Sequence, residues 1–155
     1  MPGLKDELQE VLTHLNRSAP EIKSSAFVSL DGLMLASALP SSTDEDAIAA
    51  MSATVLGLGE RTTKEFAVGE LEQVYFKGGG GYIILQAAGD DGVLVAVTDE
   101  SAKLGILFLL LSRTAEEIRI IVNRAIAPKV PSPPPQPEDR SSGPATGQSP
   151  SPWSP

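Results

Sequence analysis

The stretch Val93–Thr98 constrains the fold most, because it is almost entirely apolar and shows no alternation of polar and apolar residues. A strand of this kind must be covered on both faces, so we expect it near the centre of a sheet with helices on either side. Two more strands are predicted before it, at Leu71–Lys77 and Tyr82–Ala88. The short turns Gly78–Gly81 and Gly89–Gly92 join the three segments, so neighbouring strands should run antiparallel.

A hairpin is predicted earlier in the chain. After Ser25, the apolar residues Ala26, Val28 and Leu30 alternate with Phe27 and Ser29. The pair Asp31-Gly32 follows, and Leu33–Ser37 forms a return strand. Asp-Gly is typical of two-residue hairpin turns, because both residues tolerate positive φ. Both faces of the hairpin carry apolar residues, so this pair of strands should also be covered on both faces.

Three helices complete the pattern. The first begins near Leu4 and carries a leucine-rich stripe that ends before Pro20. The second is expected to have Thr43 as its N-cap and to run to about Phe66, and the third to be capped by Ser101 and to end near Ala127. The predicted fold is therefore α+β, with a five-stranded antiparallel sheet sandwiched by helices in the order α-β-β-α-β-β-β-α. Residues 1–127 form this domain.

The second helix has an unusual surface. Besides an apolar stripe through Ile48, Met51, Val55 and Leu58, it contains many small residues, among them Gly57-Leu58-Gly59. Glycine inside a helix costs up to about 1 kcal/mol relative to alanine. Close packing against a neighbour would offset this cost, and fraying or kinking of the helix is the alternative.

The segment 128–155 differs sharply in composition, since ten of the 13 prolines fall there. Its only sizeable apolar side chains are Val130 and Trp153, so it cannot bury enough surface to offset the entropy of ordering. We predict a disordered tail with local polyproline II structure at Pro133–Pro135. It could dock into an aromatic groove or serve only as a solubilising linker, and the second interpretation is favoured.

Composition excludes several classes of function. The chain has no cysteine, which removes disulfides, thiolate zinc sites and cysteine nucleophiles. The net charge is −8, and because charges in the tail cancel, the excess lies on residues 1–127. An acidic body repels phosphate backbones and anionic lipids, so neither nucleic acid nor a membrane surface is an expected partner. The longest apolar run, Leu104–Leu111, is too short to insert into a bilayer, and no signal peptide is recognisable. A cytoplasmic location is expected.

No set of residues predicts catalysis, a metal or a cofactor. Gly78–Gly81 lies between two strands, whereas a phosphate-binding loop needs glycines between a strand and a helix. Asp90-Asp91 lacks the spaced ligands of a calcium site, and turn formation explains both residues. The single histidine, His14, lies off the leucine stripe of the first helix and is expected to face solvent. We therefore predict a non-enzymatic protein.

Several stretches together resemble the Roadblock/LC7 family, and more closely its bacterial MglB-like branch. They are AFVSLDGLMLAS at 26–37, GGYIIL at 80–85, LVAVT at 94–98 and AKLG at 102–105. The resemblance covers about residues 4–127. It rests on the order of these stretches along the chain, since no one motif is highly specific.

The resemblance implies a homodimer whose seam is formed by the second helix, Thr43–Phe66, and the following strand, Leu71–Lys77. On these elements the implied interface residues are Ala50, Met51, Thr54, Gly57, Leu58, Val74, Tyr75 and Phe76. It also implies binding to a Ras-like small GTPase and modulation of its GTP hydrolysis, with Arg61, Lys64 and Glu65 as candidate contacts. Arg61 could instead be solvated or pair with Glu65.

Two other functions remain open. A dimeric scaffold or adaptor of the dynein light chain type would need no GTPase. A small-molecule sensor would need an internal pocket, which the densely aliphatic pattern does not favour.

Overall fold

The computed structural model describes residues 3–126. It contains three helices and five strands: α1 (Leu4–Ser18), β1 (Ile22–Val28), β2 (Met34–Ala38), α2 (Glu45–Glu65), β3 (Gln73–Gly78), β4 (Gly81–Ala87), β5 (Val93–Asp99) and α3 (Leu104–Ile126). The predicted tail and its polyproline II segment lie outside the described residues.

The five strands form one antiparallel sheet in the spatial order β2-β1-β5-β4-β3. The apolar strand β5 is therefore central, as its unbroken apolar pattern predicted. It pairs with β1 on one side, where Phe27 faces Leu94, and with β4 on the other, where Ile84 faces Ala96. Strands β2 and β3 are the two edges.

Helices cover both faces of the sheet, which confirms the predicted α+β sandwich. Helices α1 and α3 pack on one face around Phe27, Leu94 and Ile84, and the leucine stripe of α1 is buried there. Helix α2 packs alone on the other face, against a smaller cluster that includes Leu85 and Val95. Two helices thus cover one face, whereas a single helix covers the other.

Several predicted boundaries are wrong by a few residues. The N-cap of α2 is Asp44 rather than Thr43, because the Asp44 Oδ1 accepts the hydrogen bond from the Ala47 amide at 3.1 Å. Ser101 does not cap α3, since its amide and hydroxyl both donate to the Asp99 carboxylate at 2.9 and 2.6 Å and the helix begins only at Leu104.

The surface positions agree with the prediction in part. His14 is exposed, as expected. The spacing of charges on α3 allows two ion pairs, of which Arg119–Glu116 forms at 2.7 Å, whereas no Arg113–Glu117 pair is found in residues 3–126.

Two turn glycines are required by close backbone approach. A Cβ on Gly81, where β4 begins, would collide with the Thr98 carbonyl oxygen. A Cβ on Gly92, before β5, would collide with the Val28 carbonyl oxygen and lie 2.9 Å from the Phe27 ring. Gly79 and Gly80 at the tip of the β3–β4 hairpin have no neighbour within 4 Å of such an atom. The four-glycine run is therefore a hairpin turn.

None of the helices between residues 3 and 126 is both long and apolar enough to cross a membrane.

Candidate partner interface

The inner face of α2 is narrow and made largely of small residues. Ala49, Ser52 and Leu56 are its buried positions. A Cβ on Gly59 would lie 2.9 Å from a Leu71 methyl and 3.2 Å from a Val74 methyl, so this glycine lets the helix approach β3 closely. The helix continues through both glycines without a break. Packing therefore accounts for Gly59, whereas Gly57 faces open space.

The opposite side of α2, which we call the outer face, is exposed although much of it is apolar. It contains Ala50, Met51, Thr54, Gly57 and Leu58, all exposed. The Met51 side chain is 57% exposed and that of Leu58 65%. The apolar stripe seen in the sequence therefore does not enter the protein's own core at these two positions. Exposed apolar surface of this extent on a helix is typical of an interaction site.

Strand β3 extends the exposed surface to the edge of the sheet. Its far side has no neighbouring strand among residues 3–126, so a row of backbone N–H and C=O groups there is unpaired within that part of the chain. Phe76 is exposed on the face that α2 covers, and its cross-strand neighbour Ile83 is exposed beside it. Tyr75 points to the other face, where its ring lies 5.6 Å from that of Phe108.

The sequence-predicted interface residues are thus mostly at the surface. Seven of the eight are exposed, whereas Val74 is half-buried against the core beneath α2. The five on α2 share one face, and Val74 and Phe76 lie on the same face of the sheet as that helix. Tyr75 lies on the opposite face. Their role in a dimer stays a prediction.

The three candidate GTPase contacts lie near the C-terminal end of α2 and are exposed. Arg61 and Lys64 line an open groove of about 820 Å³ between α2 and the β4–β5 turn, whereas Glu65 is not part of its lining. Glu60, Glu70, Glu72 and Asp90 line the same groove, so acidic side chains outnumber the two basic ones. None of the three candidates forms an ion pair within the described part of the chain. The alternative in which Arg61 pairs with Glu65 is therefore not realised.

Sequence reasoning missed two leucines beside the outer face. Leu30 and Leu33 flank the Asp31-Gly32 turn and are exposed. The turn packs on α2, since a Cβ on Gly32 would lie 3.7 Å from the Ala50 Cα. The sequence contained a signal for this surface, because the residues beside a hairpin turn are commonly polar, whereas both are leucines here.

A second missed pair follows α2. Phe66 and Val68 are both exposed, on either side of Ala67, which has a positive φ of 54°. The amide of Val68 donates to the Thr63 carbonyl at 3.0 Å, which closes the end of the helix. These two residues extend the exposed apolar surface beyond the C-terminus of α2.

Charged groups elsewhere offer little chemistry. Within residues 3–126 no group of three acidic or histidine side chains is arranged to hold a metal ion. The hydrogen bond from the Ser101 hydroxyl, together with the Ser101 amide and Lys23, holds the pKa of the Asp99 carboxyl below its ordinary value. This arrangement closes a turn at the end of β5, remote from the outer face of α2.

Comparison with known proteins agrees with the fold. The uncharacterised protein MJ1340 of Methanocaldococcus jannaschii is 38% identical over 112 residues, which span 72% of this chain and 96% of the relative. Two solved MglB structures share the fold. The gliding protein MglB of Thermus thermophilus has a TM-score of 0.71 at 22% identity, covering 81% of this chain and 95% of its own. MglB of Myxococcus xanthus has a TM-score of 0.71 at 20% identity, covering 76% and 96%.

The sequence profile of the Roadblock/LC7 domain matches residues 8–98, which include most of α1, the outer face of α2 and nearly the whole sheet. The resemblance seen in the sequence is thereby confirmed, and MglB proteins are among the chains with the same fold. The chain belongs to the Roadblock/LC7 family.

Proposed function

We propose that the chain is a homodimeric, non-enzymatic regulator that binds a Ras-like small GTPase and modulates its GTP hydrolysis. The observation that carries the proposal is the exposed apolar outer face of α2 beside the unpaired edge of β3. Membership of the Roadblock/LC7 family supports it, because family members of the MglB-like branch act as regulators or adaptors. The expected cytoplasmic location belongs to the same proposal.

The geometry of α2 fits a twofold contact. If two copies of the helix pack antiparallel about a point between Thr54 and Val55, Met51 of each copy lies opposite Leu58 of the other. Gly57 has open space around it, so nothing prevents the second helix from approaching closely there. Contact of this kind would bury two large apolar side chains per copy that the isolated chain leaves in water.

Charge along α2 fits the same arrangement. Its first turn carries Glu45 and Asp46 next to the capping Asp44, and its last two turns carry Arg61 and Lys64. An antiparallel pair places the acidic end of each helix beside the basic residues of the other, which favours this orientation over a parallel one. Glu60 and Glu65 lie in the same two turns and offset this attraction, so the antiparallel arrangement is favoured mainly because it keeps the two acidic ends apart.

The edge of β3 supplies a second contact. Two antiparallel β3 strands could pair across the twofold axis and join two five-stranded sheets into one. Backbone hydrogen bonds would then satisfy the groups left unpaired at this edge.

The GTPase is proposed to contact the C-terminal end of α2 and the adjoining groove. Arg61 and Lys64 are free of ion pairs in the described structure and are therefore available to an acidic surface. The protein supplies no catalytic chemistry in this proposal. It acts by favouring a hydrolysis-competent arrangement of the GTPase.

The test is single-turnover phosphate release from a purified, GTP-loaded Ras-like GTPase of the same organism, with and without the purified full chain. We expect faster release with the chain. Replacing both Arg61 and Lys64 with alanine should weaken binding about two- to tenfold, as exposed charge contacts contribute little each. Arg113→Ala is the matched control, since Arg113 is also an exposed, unpaired arginine in the described structure. A dimer that leaves hydrolysis unchanged for every such GTPase would refute the regulatory role and favour the scaffold.

A further inference from the structure

Three of the chain's seven aromatic residues gather on the face of the sheet that α3 covers. The ring of Tyr75 on β3 lies 5.6 Å from that of Phe108 on α3 and 6.4 Å from that of Tyr82 on β4. Tyr75 is 50% exposed, and the other two rings are partly exposed. We call these three residues the aromatic cluster. It lies on the opposite side of the sheet from α2. Tyr75 belongs to the seam strand β3 and is among the residues implied for the dimer interface, whereas Tyr82 and Phe108 are not.

Small residues lie beside the cluster on α3, and we call the open space next to Gly105 the notch. Gly105 and Ser112 lie three residues before and four residues after Phe108, which places them on the same side of the helix. A Cβ on Gly105 would have no neighbour within 4 Å, so the side of Phe108 next to Gly105 is accessible. Leu109, also exposed, borders the notch. Aromatic rings next to a shallow apolar groove are the surface on which proline-rich segments in the polyproline II conformation dock.

The chain carries such a segment at a suitable distance. Phe108 lies 18 residues before Ile126, the last residue of α3. At 1.5 Å per residue the helix spans about 27 Å between them. A chain that turns back after Ile126 in polyproline II conformation needs about nine residues to cover this length at 3.1 Å each. It therefore reaches the aromatic cluster at residue 135, the last of the triple proline, and each residue used in reversing the chain direction moves this point one residue further.

Charge fits the same path. The acidic pair Glu138-Asp139 follows the prolines and would lie about 9–12 Å further on. Lys103 precedes Phe108 by five residues, about 8 Å along the helix axis, and is exposed. The Lys77 amino group lies 5.9 Å above the Tyr82 ring at the other border of the cluster. Two lysines thus border the region that the acidic pair would reach, and the exposed Glu100 offsets part of their charge.

We propose that residues 131–137 of the chain dock, in polyproline II conformation, onto the aromatic cluster of the same chain. The prolines stack on Tyr75 and Phe108, and Glu138-Asp139 lie near Lys103. The tail then occupies the surface of β3 and α3 that faces away from α2. This interaction does not depend on the proposed function, because neither the dimer nor a GTPase enters the argument.

The experiment uses the full chain, which has no cysteine, so Ser132→Cys offers a unique site for a nitroxide spin label. Amide signals of the ¹⁵N-labelled protein are compared before and after the label is reduced. We expect the signals of Gly105, Leu109 and Tyr75 to be lost while the label is paramagnetic. Signals of α2 should keep their intensity.

Two variants that spare the core complete the test. Replacing Pro133, Pro134 and Pro135 with alanine changes only the tail, and Gly105→Gln fills the notch from a position with open space around it. Each should restore the lost signals. Signal loss that persists in both variants, or that never occurs, would overturn the proposal. A second sample mixes a spin-labelled chain without ¹⁵N with a ¹⁵N chain that has no spin label, so that only contact between copies can broaden signals. Equal loss of the three signals in this sample would overturn docking within one chain and would assign the tail to a second copy.

Discussion

Replacing Met51 with alanine should weaken the dimer without weakening the fold. Full burial of a methionine side chain stabilises by about 1.5–3 kcal/mol. The isolated chain leaves 57% of this side chain exposed, so burial of this exposed part in the interface contributes about 0.9–1.7 kcal/mol per copy. A twofold dimer loses this twice, or about 2–3 kcal/mol, which raises the dimer Kd about 30- to 150-fold.

The assay is sedimentation equilibrium over a range of concentrations, with urea unfolding of the monomer as a second measurement. Ile120→Ala is the matched control, because Ile120 on α3 is also 57% exposed but lies far from α2 in the fold. Ile120→Ala should leave the dimer Kd unchanged. An equal effect of both variants, or none from Met51→Ala, would refute the assignment of the seam to the outer face of α2.

Two further predictions concern the fold itself. Gly92→Ala should lower the free energy of unfolding by about 1–3 kcal/mol, because its Cβ would collide with the Val28 carbonyl. Gly79→Ala should be nearly neutral, because no atom lies within 4 Å of the added Cβ. Urea unfolding of both variants measures the difference, and equal stability would contradict the packing described. Folding lowers the pKa of Asp99, so its contribution to stability should be present above the pKa of the unfolded carboxyl and be lost as the pH falls through the lower, folded pKa. In Ser101→Ala, NMR titration should show a higher pKa of Asp99, because the hydrogen bond from the Ser101 hydroxyl is lost. An unchanged pKa would rule out that hydrogen bond as the cause.

The sheet was predictable because its signals are local and redundant. A short, valine-rich apolar run between two turns favours a strand buried on both faces, and β5 is central. Glycine pairs at the turns fixed the antiparallel order. The ends of the helices were less predictable, since Thr43 and Asp44 are both good caps and adjacent, and only the geometry of the first turn selects Asp44.

The candidate interface was predictable only through resemblance. An apolar stripe shows that a helix face avoids water, but not whether the chain's own core or another chain covers it. The face of α2 that packs on the sheet contains small residues such as Ala49, whereas Met51 and Leu58 are exposed to solvent. Periodicity alone would have placed both in the core. The sequence alone did not place Leu30 and Leu33 beside the outer face, because their position depends on the packing of the hairpin turn against α2.

The central claim is tested most directly by the nucleotide dependence of binding. The purified full chain is titrated into a Ras-like small GTPase of the same organism, loaded either with a non-hydrolysable GTP analogue or with GDP, and binding is measured calorimetrically. The account predicts binding to the GTP-analogue form that is clearly tighter than binding to the GDP form. Equal affinity for both forms, or no binding to either, would contradict it.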